Sequence, residues 1–189
     1  MFRFAVVDDE IPAVALLRKL VGDLDIGDRE IWPTTNRVFT SWDVVWNELL
    51  QLEHAGWTPT NDCCVLILDV ALGQAKSKID EGIQELSRQL RTPLFDNYVK
   101  IIATTFDGQT RRKLGSIVDG LVDKTLLYER DGGSLPFLED AFAKALSSWS
   151  KRTGRPNPVT KRTSLFKRVD GPSMRRVEAS VGAAVIDRI

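Results

Sequence analysis

Short unbroken apolar runs alternate along this chain with stripes of apolar residues at helical spacing. The clearest run is residues 64–71, CVLILDVA, which has no turn residue and no polar alternation, as expected of a strand buried on both faces. Its one carboxylate, Asp69, comes where such a strand leaves its sheet. Residues 2–7 form a similar run, apolar but for Arg3, and lead into Asp8, Asp9 and Glu10. Pro12 suits the first turn of a helix in which Val14, Leu16, Leu17, Leu20 and Val21 recur at helical spacing as far as Gly22. A weaker strand is expected over 31–40, where Pro33 interrupts the run. Ser41 is a suitable N-cap for an amphipathic helix with Trp42, Val45, Trp46, Leu49, Leu50 and Leu52, ending near Gly56.

Beyond Asp69 the stretch 73–80 is polar, and a helix follows with Ile83, Leu86 and Leu90 on one side and Gly82 at its mouth. Residues 98–105, YVKIIATT, read as a strand with two hydroxyls at its exit, and Asp107 suits the cap of a helix over 111–118. Leu121 and Val122 make a short last strand ending in Asp123 and Lys124, and a loop over 125–133 leads to a helix over 135–149. The order is βα five times. Such alternation implies a doubly wound, five-stranded parallel sheet with helices on both faces and right-handed crossovers, an α/β domain over residues 1–150.

Charge divides the chain at the same place. Residues 1–150 hold 16 Lys and Arg against 23 Asp and Glu, whereas residues 151–189 hold 10 against 3, so a formal net charge of zero conceals an acidic domain and a basic tail. Gly154, Pro156 and Pro158 give residues 151–163 the composition of a linker, and Met174, Val177, Val181, Val185 and Ile189 suggest a last helix over 173–189. That helix is expected to dock on the domain or to dimerise. Ten cations in the tail raise nucleic-acid binding as a second expectation, but no recognition motif accompanies them. No apolar run is long enough to span a membrane, and Met1 leads straight into a strand-like segment, so a cytoplasmic protein is expected. Cys63 and Cys64 are adjacent, which disfavours a disulfide, and with His54 as the single histidine they cannot assemble a zinc set. Both are expected to be small buried residues at the start of a strand.

In a parallel sheet all strand exits share one edge, the edge at which open α/β sheets bind ligands. Asp8 and Asp9 leave the first strand, Asp69 the third, Thr104 and Thr105 the fourth, and Lys124 the fifth. Three carboxylates together repel one another unless a cation joins them. A hard divalent ion such as Mg²⁺ answers that need, Lys124 is a point charge suited to a phosphoryl oxygen, and a threonine hydroxyl can donate to another. The set is suited to forming an aspartyl phosphate on Asp69.

With these residues in this order, the domain resembles the receiver domain of two-component response regulators, which has a flavodoxin-like fold. The resemblance rests on Asp8, Asp9 and Glu10 after FAVV, Asp69 after VLIL, Thr105 after IIAT and Lys124 after LVD. It implies that Asp69 is the phosphoacceptor and Lys124 its phosphate partner, with Thr105 the switch hydroxyl. Asp8, Asp9, Asp69 and the backbone carbonyl of Ala71 would hold Mg²⁺, and Gly82 matches the glycine opening the third helix. A sensor histidine kinase or a phosphotransfer protein would be the donor, and the phosphorylated form would switch a partner-binding surface in signal transduction. Self-dephosphorylation would be the only enzymatic property.

The chain also departs from that pattern. Thr125 replaces the proline that usually follows the lysine, Leu121 replaces an aromatic, and bulky Phe106 follows the switch hydroxyl. The loop after Asp69 is long, lacks the common proline, and carries Lys76 and Lys78. These departures favour a second reading, a pseudo-receiver that binds a partner or nucleic acid without being phosphorylated. A third, a hydrolase of the haloacid-dehalogenase kind, would need a second aspartate two residues after Asp69, where Ala71 stands. For the remaining residues the plain readings are preferred: Asp107 as a helix cap, His54 as solvated, and Trp42 with Trp46 as core.

Overall fold

In a computed structural model the chain forms one five-stranded parallel sheet with five α-helical segments among the described residues, which are 1–72, 79–105, 112–115, 117–128 and 134–159. The strands are β1 (Phe2–Val7), β2 (Arg29–Trp32), β3 (Cys63–Leu68), β4 (Val99–Thr104) and β5 (Gly120–Asp123). The helices are α1 (Ile11–Asp23), α2 (Trp42–His54), α3 (Ile79–Leu90), a single turn α4 (Lys124–Leu127) and α5 (Ser134–Thr153). All strand pairs are parallel and the sheet order is β2-β1-β3-β4-β5. This is the flavodoxin-like order, and it has its switch point between β1 and β3.

β3 lies at the centre with all six residues buried, which is why its sequence shows no alternation. The period-two rule still sorts its side chains between two cores. On one face Phe2, Phe4 and Val6 of β1, Val65 and Ile67 of β3, and Val99, Ile101 and Ala103 of β4 meet Leu17 and Leu20 of α1 and Phe142, Leu146 and Trp149 of α5. On the other Ala5, Val7, Leu66, Leu68 and Ile102 meet Trp42, Val45, Trp46 and Leu49 of α2 and Leu86 and Leu90 of α3. Trp42 and Trp46 stack within this second core at 4.9 Å between ring centroids, as their helical spacing suggests. Cys63 and Cys64 are buried free thiols, pushed up to about 12 chiefly by that burial, so they pack rather than react.

Three local expectations are revised. The second strand is Arg29–Trp32, not 31–40, because Pro33 has no N–H to continue the ladder with β1. Residues beyond it cross the top of the sheet instead, where the Phe39 N–H donates to the Asp8 carbonyl at 2.9 Å and the Phe39 ring tilts against Trp32. Ser41 does occupy the N-cap of α2, but its side chain makes no capping bond. The segment after Asp123 begins with the turn α4 rather than a loop, since Asp123 caps it by accepting from the Thr125 N–H at 2.9 Å. Finally, α5 runs on to Thr153, so residues 151–153 are helix where a linker was expected. Of the expected helix over 111–118, residues 112–114 are helical. Asp107, Phe106, Lys76, Lys78 and the expected helix over 173–189 lie outside the described residues.

The extra turn of α5 matters because Arg152 clamps the sheet. Its guanidinium bonds both oxygens of Asp119 at 2.8 and 3.0 Å, the Tyr98 carbonyl at 2.9 Å and the Asp96 carbonyl at 2.5 Å. Beside it the buried Lys100 of β4 donates from Nζ to the Leu90 carbonyl at 2.5 Å, satisfying the end of α3. After α5 the chain turns at Gly154, whose φ of +70° suits a residue without a Cβ. Arg155 then reaches the Pro59 carbonyl, and Val159 packs on the first core.

Gly82 shows why a glycine stands at the start of α3. A Cβ built there would overlap the Val70 carbonyl oxygen, a backbone atom that cannot move aside without shifting the strand exit. Gly82→Ala is therefore expected to cost about 1–3 kcal/mol. Gly22→Ala, with nothing within 4 Å of the new methyl, should show no such loss. Urea midpoints of the two variants check the contrast.

Candidate functional site

The register of the sheet assembles the site. Val7 pairs with Leu68, so the next residues, Asp8 and Asp69, leave adjacent strands side by side, and the Asp69 N–H donates to the Val7 carbonyl at 2.9 Å. Alternation also selects which exit residues share a face. Continuing the pattern of Val6, Ile67, Ala103 and Val122, which all lie in the first core, Asp8, Asp69, Thr105 and Lys124 fall on that same side. Thr104 follows Lys100 and Ile102 to the opposite side and is buried at the end of β4, paired with Asp123. Thr105 is exposed immediately beyond.

Carboxylate oxygens of Asp8, Asp9 and Asp69 lie within 4.8 Å of one another. Asp8 and Asp69 are buried and Asp9 half-buried. Lys124, itself buried, bridges the two buried acids, with Nζ 2.9 Å from Asp69 Oδ2 and 2.6 Å from Asp8 Oδ2. Both are close ion pairs, and the contact to Asp69 has full hydrogen-bond geometry. The other oxygens are satisfied locally: Asp8 Oδ1 accepts from the Glu10 N–H at 2.9 Å, and Asp69 Oδ1 from the Val70 N–H at 2.7 Å. Asp8 thus orders the start of α1 as well as facing the site.

Electrostatics follow from this crowding. Burial, and then the neighbouring Asp69 charge, push the Asp8 carboxyl up from 3.8 to about 6, against the opposing pull of Lys124. For Lys124, burial favours loss of the proton, but the two carboxylates outweigh it and hold the ammonium above its ordinary value. Three carboxylates this close together, two of them buried, form the donor set that a hard cation takes. The cluster can hold a metal ion.

Ala71 lies two residues past Asp69 in the segment leaving β3, between Val70 and Leu72, which are both buried in the second core and anchor that segment. His54 is exposed at the end of α2, away from the sheet's carboxyl edge. One residue near the cluster was not singled out from sequence: Tyr128, at the end of α4, senses the charges of Glu10, Lys124, Asp8 and Asp69. The signal was its position four residues after Lys124, which places both on one side of a helical turn, but residues 125–133 had been read as loop. The Lys124–Thr125 peptide is trans, the one cis bond among the described residues being Trp32–Pro33. No described helix is long and apolar enough to cross a membrane. Set against protein-family models, curated proteins and solved structures, the chain gives no match.

Proposed function

We propose that this protein is a receiver-like phosphoacceptor that takes a phosphoryl group on Asp69 from a histidine kinase or phosphotransfer protein in the cytoplasm. One observation carries the reading: at the carboxyl edge of the sheet, the carboxylates of Asp8, Asp9 and Asp69 converge and Lys124 contacts both buried acids. In the reaction an Asp69 carboxylate oxygen attacks phosphorus, the bond from phosphorus to the donor nitrogen breaks, and the electron pair leaves with the donor imidazole. Lys124 is placed to turn its ammonium from the carboxylates to a phosphoryl oxygen, and Thr105, on the same side of the sheet, to donate its hydroxyl to another. Mg²⁺, held by Asp8, Asp9, Asp69 and the Ala71 carbonyl, would neutralise charge on the transferred group. The three converging carboxylates fit that role.

Incubation of the full chain with radiolabelled acetyl phosphate and Mg²⁺ tests the reading. Wild type is expected to take up acid-stable, alkali-labile label, and Asp69→Ala to take up none. Equal labelling of the two, or no labelling of wild type, would sink the idea.

A second reading is an interaction module that keeps the fold without the chemistry. Its support is the Lys124 bridge, which already offsets one of the two buried negative charges internally, together with Leu121 and Thr125 where the receiver pattern has an aromatic and a proline. On that reading Mg²⁺ binding is weak and labelling absent. Dimerisation or nucleic-acid binding through residues 151–189 would then be the activity to assay.

A further inference from the structure

We propose that Tyr128 forms the outer wall of the site and donates its phenolic hydrogen bond to an oxygen of the phosphoryl group on Asp69. The inference rests on the phosphoacceptor reading and adds to it a positioning residue that the receiver resemblance does not supply.

The geometry comes from α4. Lys124 is its first residue and Tyr128 its C-cap, held in helical conformation with its N–H donating to the Thr125 carbonyl at 3.3 Å. Side chains four apart on a helical turn lie on one side, one above the other. Lys124 points into the cluster and is buried, and Tyr128, a turn further out, is 47% exposed. The intervening side chains are committed elsewhere. The Thr125 hydroxyl donates to Asp123 at 2.7 Å, and Leu127 is buried in the first core. Among residues 125–128, Tyr128 is therefore the one whose hydroxyl is not already committed within the turn.

Electrostatics support the placement. Burial of part of the ring, then the Glu10 charge, with smaller contributions from Asp8 and Asp69 against Lys124, push the phenol above its ordinary value. A phenol so placed stays protonated at neutral pH and is a donor toward an anion. The side chain has an apolar ring to exclude water and a polar tip to reach the ligand, a combination suited to a partly exposed rim.

Calorimetric binding of two probes to the full chain separates a role at the phosphoryl group from one at the metal or in the fold. The probes are Mg²⁺ alone, and beryllofluoride with Mg²⁺ as a stand-in for a phosphoryl group on a carboxylate. Tyr128→Phe, which keeps the ring, is expected to bind Mg²⁺ like wild type and beryllofluoride roughly tenfold more weakly, the loss typical of one hydrogen bond to a charged group. Tyr128→Ala should lose at least as much. Beryllofluoride binding unchanged in Tyr128→Phe overturns the assignment, as does an equal loss for both probes, which would mean an effect through the metal cluster. If wild type binds Mg²⁺ but neither binds beryllofluoride nor labels with acetyl phosphate, the phosphoacceptor reading falls and this inference with it. Labelling that is intact in wild type and equal in Tyr128→Phe removes the Tyr128 role alone.

Discussion

Replacing Lys124 with methionine is expected to cost the metal-free protein about 3–5 kcal/mol of folding stability at neutral pH. The ammonium lies within 2.9 Å of Asp69 Oδ2 and 2.6 Å of Asp8 Oδ2, and all three side chains are buried. Without it two carboxylates are left facing each other away from water, and the penalty is that of uncompensated buried charge rather than of one lost contact. The pH dependence carries a definite sign. Asp8 already titrates at about 6, above its ordinary 3.8, so the folded chain binds its proton more tightly than the unfolded chain does. The stability linked to that proton is complete below 3.8 and is lost as pH rises through about 6. Removing Lys124 removes the charge that opposes this shift. The deficit of the variant should thus be smallest near about pH 4 and grow through neutrality. Millimolar Mg²⁺ should reduce it, because a bound cation takes over the neutralisation and binds only the folded chain. Urea denaturation at acid and neutral pH, with and without Mg²⁺, measures all three effects. A variant as stable as wild type at neutral pH without metal would show that the bridge does not hold the site together.

Arg152→Met should destabilise the domain by about 2–3 kcal/mol, although the residue lies in what reads as a basic linker. Four acceptors depend on it: both oxygens of Asp119, and the carbonyls of Asp96 and Tyr98. The Asp119 side chain is only 2% exposed, so losing the guanidinium leaves a buried carboxylate with little beyond the Lys100 N–H, which donates to it at 2.9 Å. Lys151→Met, one residue away and exposed, removes the same charge and should change stability by less than about 0.5 kcal/mol. Denaturation midpoints of the pair distinguish a clamp from a charge effect. Equal, small changes in both would return residues 151–153 to the status of a solvated helix end.

The two variants mark the limits of what the chain shows without its fold. Strand exits were legible because a parallel α/β sheet sends every exit to one edge, so the order of Asp8, Asp69, Thr105 and Lys124 along the chain already implied their meeting. Register was not legible. That Asp8 stands directly beside Asp69 depends on the Val7 to Leu68 pairing, and that Thr105 rather than Thr104 falls on their side depends on Ala103 facing the first core, which only the packed sheet decides. The β2 boundary was misplaced because apolar Val38 and Phe39 look like strand, whereas they serve a crossing segment pinned by the Asp8 carbonyl. Arg152 was overlooked for a related reason, since its partners Asp96, Tyr98 and Asp119 lie in distant parts of the chain.

The sequence by itself determined the class of fold, the five βα units, the buried central strand and the carboxylates waiting at its end, because hydrophobic periodicity and turn residues act over a few positions at a time. Tertiary structure alone decided that Lys124 bridges Asp8 and Asp69 and that the Asp9 carboxylate converges with theirs. Those facts arise from strand pairing and from desolvation, and both come into being only when the sheet closes over its core.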